Sequence, residues 1–578
     1  MNFKLARTIF LAGVSALVID GHTVVTDAQR LSVRQPVACA RSAVQLIAPR
    51  GTSIDKTEVV EASGALPQHC SIIAHYISPG VDGSPPSQVN YFVRLPLNGT
   101  WNGKGIFEGG GGLRTGVLDF KALGKGYALA YTDGGHPLDA LADATWAAYD
   151  NRPDMTKIVD HGHRAVRDST IAFKALAKAF YHAAPARIYF AGCSTGGRQG
   201  LVAATRYPEL YDGIIAGAPA MDYDGLMMAF AWNMQKMLRG PNYFLPTSKM
   251  TMLGNAVLAA CDANDGLKDG MISSPRSCKF NPEKLLCHGA DGPDCLTTGQ
   301  VDTVKAIYAG PFNATGKALY PGESVGSEAN WAGWMGSFNG NPTPAPVRLA
   351  DGSYNFAVAD AKDSGPVKRA DGSYDFPKRL APMMGIFADT YMQYLFFPTT
   401  NPAREARKFN FDVDPNAGSK MGETQNAPPL LQRLEKAGTK LIIYQGLADH
   451  IVPPARTIQW WHDAADSVGG ARRLGKFAKL YLLPDVDHCG GGRGPDVFGA
   501  PFNAPSGANG PQNDVVDALD HWVVQGKAPS SIIARKMKVN EVQRSRPVCP
   551  YPQVAKYKGS GNIDDAASFS CQSPRGEE

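Results

Sequence analysis

The stretch YFAGCSTGGRQG, residues 189–200, decides the fold. It places Ser194 in a Gly-x-Ser-x-Gly pattern directly after an apolar run that ends at Phe190. The residues before it, ARIYFAG (186–192), are typical of a buried strand, and those after it, GRQGLVAATRYPEL (197–210), of a helix. The sequence therefore predicts a strand, a tight turn that carries Ser194, and a helix. The simpler alternative is a glycine-rich turn whose serine only caps the helix.

A serine between such a strand and helix is typical of an α/β-hydrolase fold, whose sharp turn exposes the nucleophile at the edge of the sheet. The fold then supplies an acid and a histidine further along the chain, in that order. TKLIIYQGLADH (439–450) predicts a strand followed by Asp449, and FAKLYLLPDVDHCGGG (477–492) predicts another followed by His488. We predict Ser194, Asp449 and His488 as the catalytic residues of an α/β protein.

Other acidic and histidine residues compete for these roles. Asp485 and Asp487 precede His488 so closely that neither is expected to reach its Nδ1, and a surface-loop role is their default. His450 is an alternative base, but no separate strand end would present it after Asp449. His136 ends another apolar run, where a histidine lines the site or, more often, makes a structural hydrogen bond.

A run of four glycines gives the second half of a predicted oxyanion hole. In this fold the hole uses the N–H of the residue after the nucleophile and one from a glycine-rich loop. GKGIFEGGGGLRTG (103–116) places the run after a short predicted strand, where backbone can approach the reacting carbonyl. We predict the N–H of Thr195 and that of Gly110 or Gly111, although a glycine run alone is more often a flexible turn.

Length and composition limit the class of protein. The 578 residues are too many for one ordinary core, so we expect two domains or one domain with a large insertion. The 44% hydrophobic and 19% charged residues are normal for a soluble globular enzyme. A net charge of +5 without long Lys or Arg runs gives no reason to expect nucleic acid or a membrane surface as a partner.

The N-terminus is predicted to be a secretory signal. Lys4 and Arg7 precede an apolar segment at residues 9–19, which is too short to span a bilayer but suits the apolar region of a signal peptide. We predict a signal peptide over approximately residues 1–28 and a secreted or periplasmic protein. A buried N-terminal strand or helix is the alternative.

The ten cysteines agree with an oxidising compartment, and none forms a CxxC pair that would predict zinc or redox chemistry. If His488 lies within reach of Ser194, the cysteines adjacent to them can approach disulfide distance and tie the two loops together. The other eight fall into sequential pairs that indicate local loops. The pairs are Cys193 with Cys489, and then Cys39 with Cys70, Cys261 with Cys278, Cys287 with Cys295, and Cys549 with Cys571.

The distance along the chain from Ser194 to Asp449 indicates an inserted domain, because a plain α/β-hydrolase needs far fewer residues between these strands. We predict a hydrolase core over residues 29–220 and 436–578, and a lid domain over residues 221–435. Aromatic residues of the insertion are expected to wall a pocket or to form the lid's own core. They are Trp331, Trp334, Phe338, Phe387, Tyr391, Tyr394, Phe396 and Phe397.

Two further features lie in the insertion. VRLADGSYNF (347–356) and VKRADGSYDF (367–376) repeat after twenty residues, which predicts a hairpin or a duplicated surface loop. CDANDGLKDGMISSPRSC (261–278) places Asp262, Asp265 and Asp269 on a tight loop, and carboxylate oxygens are the ligands that Ca²⁺ prefers. The loop is not an EF-hand, and an acidic loop alone is usually solvated surface.

The motifs together resemble the tannase and feruloyl esterase family, which includes hydrolases of mono(2-hydroxyethyl) terephthalate. The resemblance runs over most of the predicted mature chain. Its most specific feature is the combination of Cys193-Ser194 with His488-Cys489. It is carried by GGGG (109–112), YTDGGH (131–136), YFAGCSTGGRQGL (189–201), DGIIAGAPA (212–220), GLADHIVPP (446–454) and DHCGGG (487–492).

This resemblance implies the disulfide Cys193–Cys489, and the four local pairs also look like bridges of the family. It further implies a structural Ca²⁺ in the lid, held by the side chains of Asp262, Asp265 and Asp269 and the carbonyls of Leu267 and Met271. No organic cofactor is implied.

The predicted function is that of a secreted serine esterase acting on small esters of aromatic carboxylic acids, such as hydroxycinnamic acids, through an acyl-enzyme. The substrate is free or attached to a polysaccharide or polyphenol. A tannase or a mono(2-hydroxyethyl) terephthalate hydrolase is the alternative among enzymes. A secreted, non-catalytic binding protein on a hydrolase scaffold is the alternative from another class.

Overall fold

The computed structural model describes most of the chain, and residues Pro36–Glu578 form one compact unit. The predicted signal peptide and Phe338 lie outside the described residues. The described ranges are 35–116, 119–336, 347–348, 354–355, 367–368, 374–375, 382–503, 509–539 and 541–573.

The strands are numbered here in chain order. They are β1 (Thr52–Val60), β2 (His69–Ser78), β3 (Ser87–Pro96), β4 (Lys104–Glu108), β5 (Ala128–Thr132), β6 (Ala148–Tyr149), β7 (Arg152–Pro153), β8 (Arg187–Cys193), β9 (Gly213–Gly217), β10 (Val347–Arg348), β11 (Tyr354–Asn355), β12 (Val367–Lys368), β13 (Tyr374–Asp375), β14 (Lys440–Gly446), β15 (Ala478–Leu483), β16 (Ile532–Lys538), β17 (Glu541–Val548), β18 (Val554–Tyr557) and β19 (Phe569–Gln572).

A mixed sheet, with nine strands in the described part of the chain, forms the centre of the fold. Its order is β1-β2-β3-β5-β4-β8-β9-β14-β15. The pairs from β1 to β5 in this order are antiparallel, and those from β5 through β4 to β15 are parallel. Because parallel strands end at one edge of a sheet, the loops after β8, β14 and β15 emerge together. This edge is where Ser194, Asp449 and His488 lie.

The parallel strands are buried on both faces, which explains their nearly continuous apolar sequences. Alternate residues point to opposite sides, so Phe190 and Ile443 belong to one hydrophobic core, whereas Tyr189 and Ile442 belong to another. Helices cover both faces of the sheet, and the three-layer arrangement is that of an α/β-hydrolase.

The α-helices are also numbered in chain order. They are α1 (Arg41–Ile47), α2 (Lys121–Gly124), α3 (Met155–Val159), α4 (Ala165–Tyr181), α5 (Thr195–Arg206), α6 (Tyr223–Met237), α7 (Thr247–Cys261), α8 (Thr298–Ala309), α9 (Ala332–Met335), α10 (Met383–Tyr394), α11 (Pro415–Gln425), α12 (Gln432–Ala437), α13 (Pro454–Ser467), α14 (Ala471–Leu474) and α15 (Val515–Gln525).

The described part of the segment between β9 and β14 is mainly helical, and α6, α7, α8 and α10 supply most of a hydrophobic core that Leu113, Trp146 and Ile158 also join. The aromatic residues of the predicted pocket that fall in the described residues pack in or against this core. Trp331, Tyr391 and Phe396 are fully buried in it. These residues therefore act first as the core of the segment. The limits of a separate lid domain at 221–435 stay a proposal.

Two smaller features complete the fold. In the described residues of each copy of the twenty-residue repeat, two short strands pair antiparallel, β10 with β11 and β12 with β13, which agrees with the predicted hairpin. No helix among the described residues is both long and apolar enough to cross a bilayer.

Candidate active site

The turn around Ser194 has the geometry of a nucleophile elbow. Strand β8 ends at Cys193, helix α5 begins at Thr195, and Ser194 between them has φ 63° and ψ −121°. This conformation is strained for a residue with a side chain, and such strain concentrates at functional sites. The flanking glycines allow close packing: a Cβ on Gly197 would lie 2.2 Å from the carbonyl oxygen of Gly217. The predicted strand, turn and helix are therefore present.

Asp449 and His488 meet across the loops that follow β14 and β15. His488 Nδ1 lies 2.9 Å from Asp449 Oδ2. The same oxygen accepts a hydrogen bond from Gln445 Nε2 at 2.8 Å, while Oδ1 accepts the N–H groups of Ile451 and Val452 at 2.9 Å. The carboxylate is fully buried and has four hydrogen-bond partners, so its orientation is fixed. Sequence patterns did not reveal the supporting role of Gln445.

Two opposing effects act on the pKa of Asp449. Burial alone favours the neutral acid, but the charge of His488, its hydrogen bond, and the N–H groups of Val452 and Ile451 favour the carboxylate. The result is a pKa below the usual value. Asp449 is therefore an anion at neutral pH, which suits a group that orients and stabilises an imidazolium.

The disulfide Cys193–Cys489 joins the loops of Ser194 and His488. Its Cα atoms are 5.9 Å apart, so the Cα atoms of Ser194 and His488 are within about 14 Å of each other. Within the described residues, the Ser194 hydroxyl has no hydrogen-bond partner and is not bonded to His488. Such catalytic hydrogen bonds are often long without substrate and tighten when it binds.

All ten cysteines are paired as predicted from the sequence. Besides Cys193–Cys489, the bridges are Cys39–Cys70, Cys261–Cys278, Cys287–Cys295 and Cys549–Cys571.

The glycine loop after β4 lies against the elbow, but one of its two predicted donors is excluded. The N–H of Gly110 donates to Gln199 Oε1 at 2.9 Å, so it is not free to bind a substrate oxygen. The N–H groups of Gly111 and Thr195 make no hydrogen bond with any described residue. Gly111 and Thr195 thus remain the candidate oxyanion donors.

The first helix of the segment between β9 and β14 supports this loop. The carbonyl oxygen of Gly112 accepts hydrogen bonds from the hydroxyl of Thr195 and from that of Tyr223, the latter at 2.7 Å. The two hydroxyls are also 2.9 Å apart. Tyr223 therefore fixes the glycine loop relative to α5. No sequence motif indicates this role of Tyr223.

The rival residues have other partners. His136 is buried, stacks on Trp146 and contacts the Thr115 hydroxyl at 2.9 Å, and burial lowers its pKa to about 3, so it is structural. His450 Nδ1 lies 2.5 Å from Asp487 Oδ1, which leaves His488 as the partner of Asp449.

The expected surface-loop role of Asp485 is wrong, whereas Asp487 is partly exposed on its loop. Asp485 is buried and accepts hydrogen bonds from Arg493 Nε and the N–H of Ile272, both at 2.9 Å. Asp487 is half-buried and binds His450. As expected, neither aspartate takes the place of Asp449 at Nδ1 of His488.

The acidic loop after α7 has the donor chemistry for Ca²⁺. Asp269 Oδ1 is buried and lacks a hydrogen-bond partner, and no described residue donates to the carbonyls of Leu267 and Met271. Asp262 Oδ1 instead accepts the N–H groups of Asp269 and Gly270 at 3.0 Å. The side-chain oxygens of the three aspartates do not all lie within 4.8 Å of one another, so in the described loop they do not converge on a single ion position. Unpaired oxygens on one tight loop nevertheless fit a hard cation.

A different group, Cys287, Asp291 and Cys295, does bring three side-chain atoms within 4.8 Å of one another. Both cysteines are in one disulfide, however, so neither offers the thiolate that binds a metal. We assign no metal to it.

The elbow on a largely parallel sheet, with Asp449 and His488 at the next strand ends, defines an α/β-hydrolase. Residues 70–572 match the family model described as tannase and feruloyl esterase. The chain therefore belongs to the tannase and feruloyl esterase family and is an esterase of that family.

Relatives and solved structures agree with this membership. An uncharacterized esterase of Xanthomonas campestris pv. campestris is 32% identical, with 98% of this chain and 94% of the relative covered. The mono(2-hydroxyethyl) terephthalate hydrolase of Piscinibacter sakaiensis is 30% identical, with 90% and 87% covered. The crystal structure of feruloyl esterase B from Aspergillus oryzae has a TM-score of 0.75 at 23% identity, covering 92% of this chain and all of that one. This likeness supports the same fold.

The bridge beside the site yields a prediction. Replacing both cysteines, Cys193→Ser with Cys489→Ser, should lower kcat by about tenfold or more and change KM little, because the two loops lose their covalent alignment. The measurement is steady-state ester hydrolysis together with thermal unfolding.

The matched control removes Cys287–Cys295, which closes a much shorter loop (8 residues against 296). It should leave kcat unchanged, and its unfolding midpoint should fall less, since the entropic contribution of a bridge grows with loop length. Unchanged kcat in the Cys193/Cys489 variant contradicts the alignment role.

Proposed function

We propose that this protein is an exported serine esterase that hydrolyses esters of aromatic carboxylic acids, of the hydroxycinnamic or a related kind, through an acyl-enzyme. The observation that carries the proposal is the buried hydrogen bond between Asp449 and His488, held beside the Ser194 elbow by Cys193–Cys489. A strained serine, a paired histidine and a buried carboxylate on three loops of one sheet edge suit nucleophilic acyl transfer.

The first half of the reaction forms the acyl-enzyme. Asp449 holds Nδ1 of His488, which leaves Nε2 to take the proton of the Ser194 hydroxyl as its oxygen attacks the ester carbonyl. The N–H groups of Thr195 and Gly111 receive the oxyanion. His488 then gives its proton to the departing alcohol. The second half repeats these steps with water as the nucleophile, and the free acid leaves.

The segment between β9 and β14 borders this site, which supports its proposed role as a lid that selects the substrate. Asn330 Nδ2 contacts the carbonyl oxygen of Ala448, next to Asp449, at 3.5 Å, and Trp331 follows it in the chain. Tyr223 of the same segment holds the glycine loop. The family's named substrates favour an aromatic acid, whether free as a small ester or attached to a polysaccharide or polyphenol. Tannase and mono(2-hydroxyethyl) terephthalate hydrolase activities are the alternatives within the family.

Export and calcium complete the proposal. Five disulfides suit an oxidising compartment, and the predicted signal peptide would direct the chain to the periplasm or outside the cell. Ca²⁺ would be held by Asp262, Asp265, Asp269 and the carbonyls of Leu267 and Met271, where it would brace the loop closed by Cys261–Cys278. It takes no part in the chemistry.

Ser194→Ala tests the nucleophile. Turnover should fall by at least about 10⁴-fold, because the hydroxyl that forms the acyl-enzyme is gone, while the thermal unfolding midpoint should stay close to that of the unmodified protein. Ser71→Ala on β2 is the matched control and should retain full turnover. Esterase activity that persists in Ser194→Ala, or equal losses in both variants, contradicts the assignment.

A substrate panel tests the specificity. We expect kcat/KM for one of methyl ferulate, methyl gallate and mono(2-hydroxyethyl) terephthalate to exceed that for p-nitrophenyl butyrate by at least about tenfold, since a shaped aromatic pocket discriminates by such factors. Turnover of the aliphatic ester alone would contradict the aromatic substrate class while keeping the Ser194 mechanism. No turnover of any ester would favour the non-catalytic binding protein.

Chelation tests the calcium loop. Adding Ca²⁺ to protein treated with EDTA should raise the thermal unfolding midpoint by a few degrees, because an ion that binds only the folded state stabilises it. Asp262→Asn should abolish the shift, and Asp294→Asn, an exposed residue of the same segment, should not. A midpoint that does not respond to Ca²⁺ in the unmodified protein contradicts the proposed site.

A further inference from the structure

The two loops that carry Asp449 and His488 have the same dipeptide, Asp-His, and the two dipeptides pair crosswise. Strand β14 leads to Asp449 and His450, and the neighbouring parallel strand β15 leads to Asp487 and His488. Asp449 Oδ2 is 2.9 Å from His488 Nδ1, and Asp487 Oδ1 is 2.5 Å from His450 Nδ1. The second pair is unused by the mechanism above.

One oxygen of Asp487 connects this second pair to the proposed base. Asp487 Oδ1 accepts the main-chain N–H of His488 at 2.7 Å in addition to His450 Nδ1. The side chain of His450 is 8% exposed and that of Asp487 is 19% exposed, so water screens their electrostatic interaction only weakly. His450 therefore holds Asp487, and Asp487 holds the backbone at the point where the His488 side chain begins.

The backbone around His488 needs such support. Cys489 has φ 62°, and the three glycines that follow also have positive φ, as does Asp485 upstream. Left-handed conformations at residues with side chains are sparsely populated and persist only where the surroundings enforce them. The disulfide at Cys489 restrains the backbone after His488, and the Asp487–His450 pair restrains the backbone before it.

Charge gives the second pair a further effect. Burial alone would lower the pKa of His450, but the charge and hydrogen bond of Asp487, together with the charge of Asp449, raise it. The raised pKa favours the protonated ring of His450, which lies against Asp487. Glu323 is also close to it, and burial, together with the charges of Asp449 and Asp487, raises the pKa of Glu323 well above its usual value. The imidazolium of His450 then offsets one of two carboxylates beside His488.

We propose that His450 and Asp487 are positioning residues that hold the main chain of His488 and balance the charge around it. This inference rests on the proposed esterase mechanism, in which His488 is the base. His450 and Asp487 do not touch the reacting atoms.

Variants of Asp487 and His450 distinguish the effect of the hydrogen bonds from the effect of the charges. Asp487→Ala removes the oxygen that accepts both N–H groups, and kcat should fall by about 10- to 100-fold with KM changed less than about threefold, because a displaced base affects turnover rather than binding. Asp487→Asn keeps an acceptor oxygen and removes the charge, and His450→Gln keeps a donor and removes the charge. These two variants should retain most of kcat at their own optimum pH.

The pH profile of kcat/KM gives a readout that a merely structural role would not move. His450→Gln leaves Asp487 uncompensated, which favours the protonated form of His488, so the acidic limb should shift to higher pH by about half a unit. Asp487→Asn removes a carboxylate and also the main cause that raises the pKa of His450, so the net local charge and the acidic limb should change little. An upward shift in His450→Gln alone supports the proposal.

A control variant at a remote Asp-His pair shows whether the effects are specific to the pair beside His488. His75→Gln removes an Asp-His pair on β1 and β2, remote from the active-site edge, and should change neither kcat nor the profile. An unshifted acidic limb in His450→Gln, or an equal upward shift in Asp487→Asn, would overturn the proposal. Ser194→Ala run in parallel tests the esterase mechanism itself: if it is inactive while the His450 and Asp487 variants behave like the unmodified protein, only the positioning role fails.

Discussion

The covalent link between Cys193 and Cys489 is the constraint on which the site depends. It joins two loops that are 296 residues apart in the chain and whose adjacent residues are Ser194 and His488. The parallel register of β8, β9, β14 and β15 brings these loops to one edge, but register alone fixes strands and not loops. Because the bridge limits how far the loops can separate, a long helical segment can lie between β9 and β14 without disturbing the site.

That helical segment contributes to the site as well as filling space. Tyr223, at the start of α6, holds the carbonyl of Gly112, and Asn330 contacts the loop of Asp449. The acidic loop after α7 connects to the other side of the site, because Ile272 donates to Asp485, three residues before His488. The segment, the glycine loop and the histidine loop are therefore joined by hydrogen bonds, and their geometry is set together.

Local patterns predicted the parts of the site that depend on secondary structure. The elbow at Ser194, and Asp449 and His488 at strand ends, follow from apolar runs and small residues, and adjacency in sequence to Ser194 and His488 predicted the bridge. The oxyanion donors and the pair of Asp487 and His450 depend instead on loop conformation. The sequence offered Gly110 as a donor, but its N–H donates to Gln199 of α5. The crossed pair of Asp487 and His450 depends on residues with positive φ near His488, and composition does not reveal such turns.

The most direct test of the account is to map the site of covalent labelling by a fluorophosphonate probe, which reacts with an activated serine. Mass spectrometry of the digested protein should find one adduct, on the peptide that contains Ser194, and His488→Ala should slow labelling by at least about 10³-fold. Labelling of a different serine, or equally fast labelling of Ser194 without His488, would contradict the claim that these two loops form one catalytic unit.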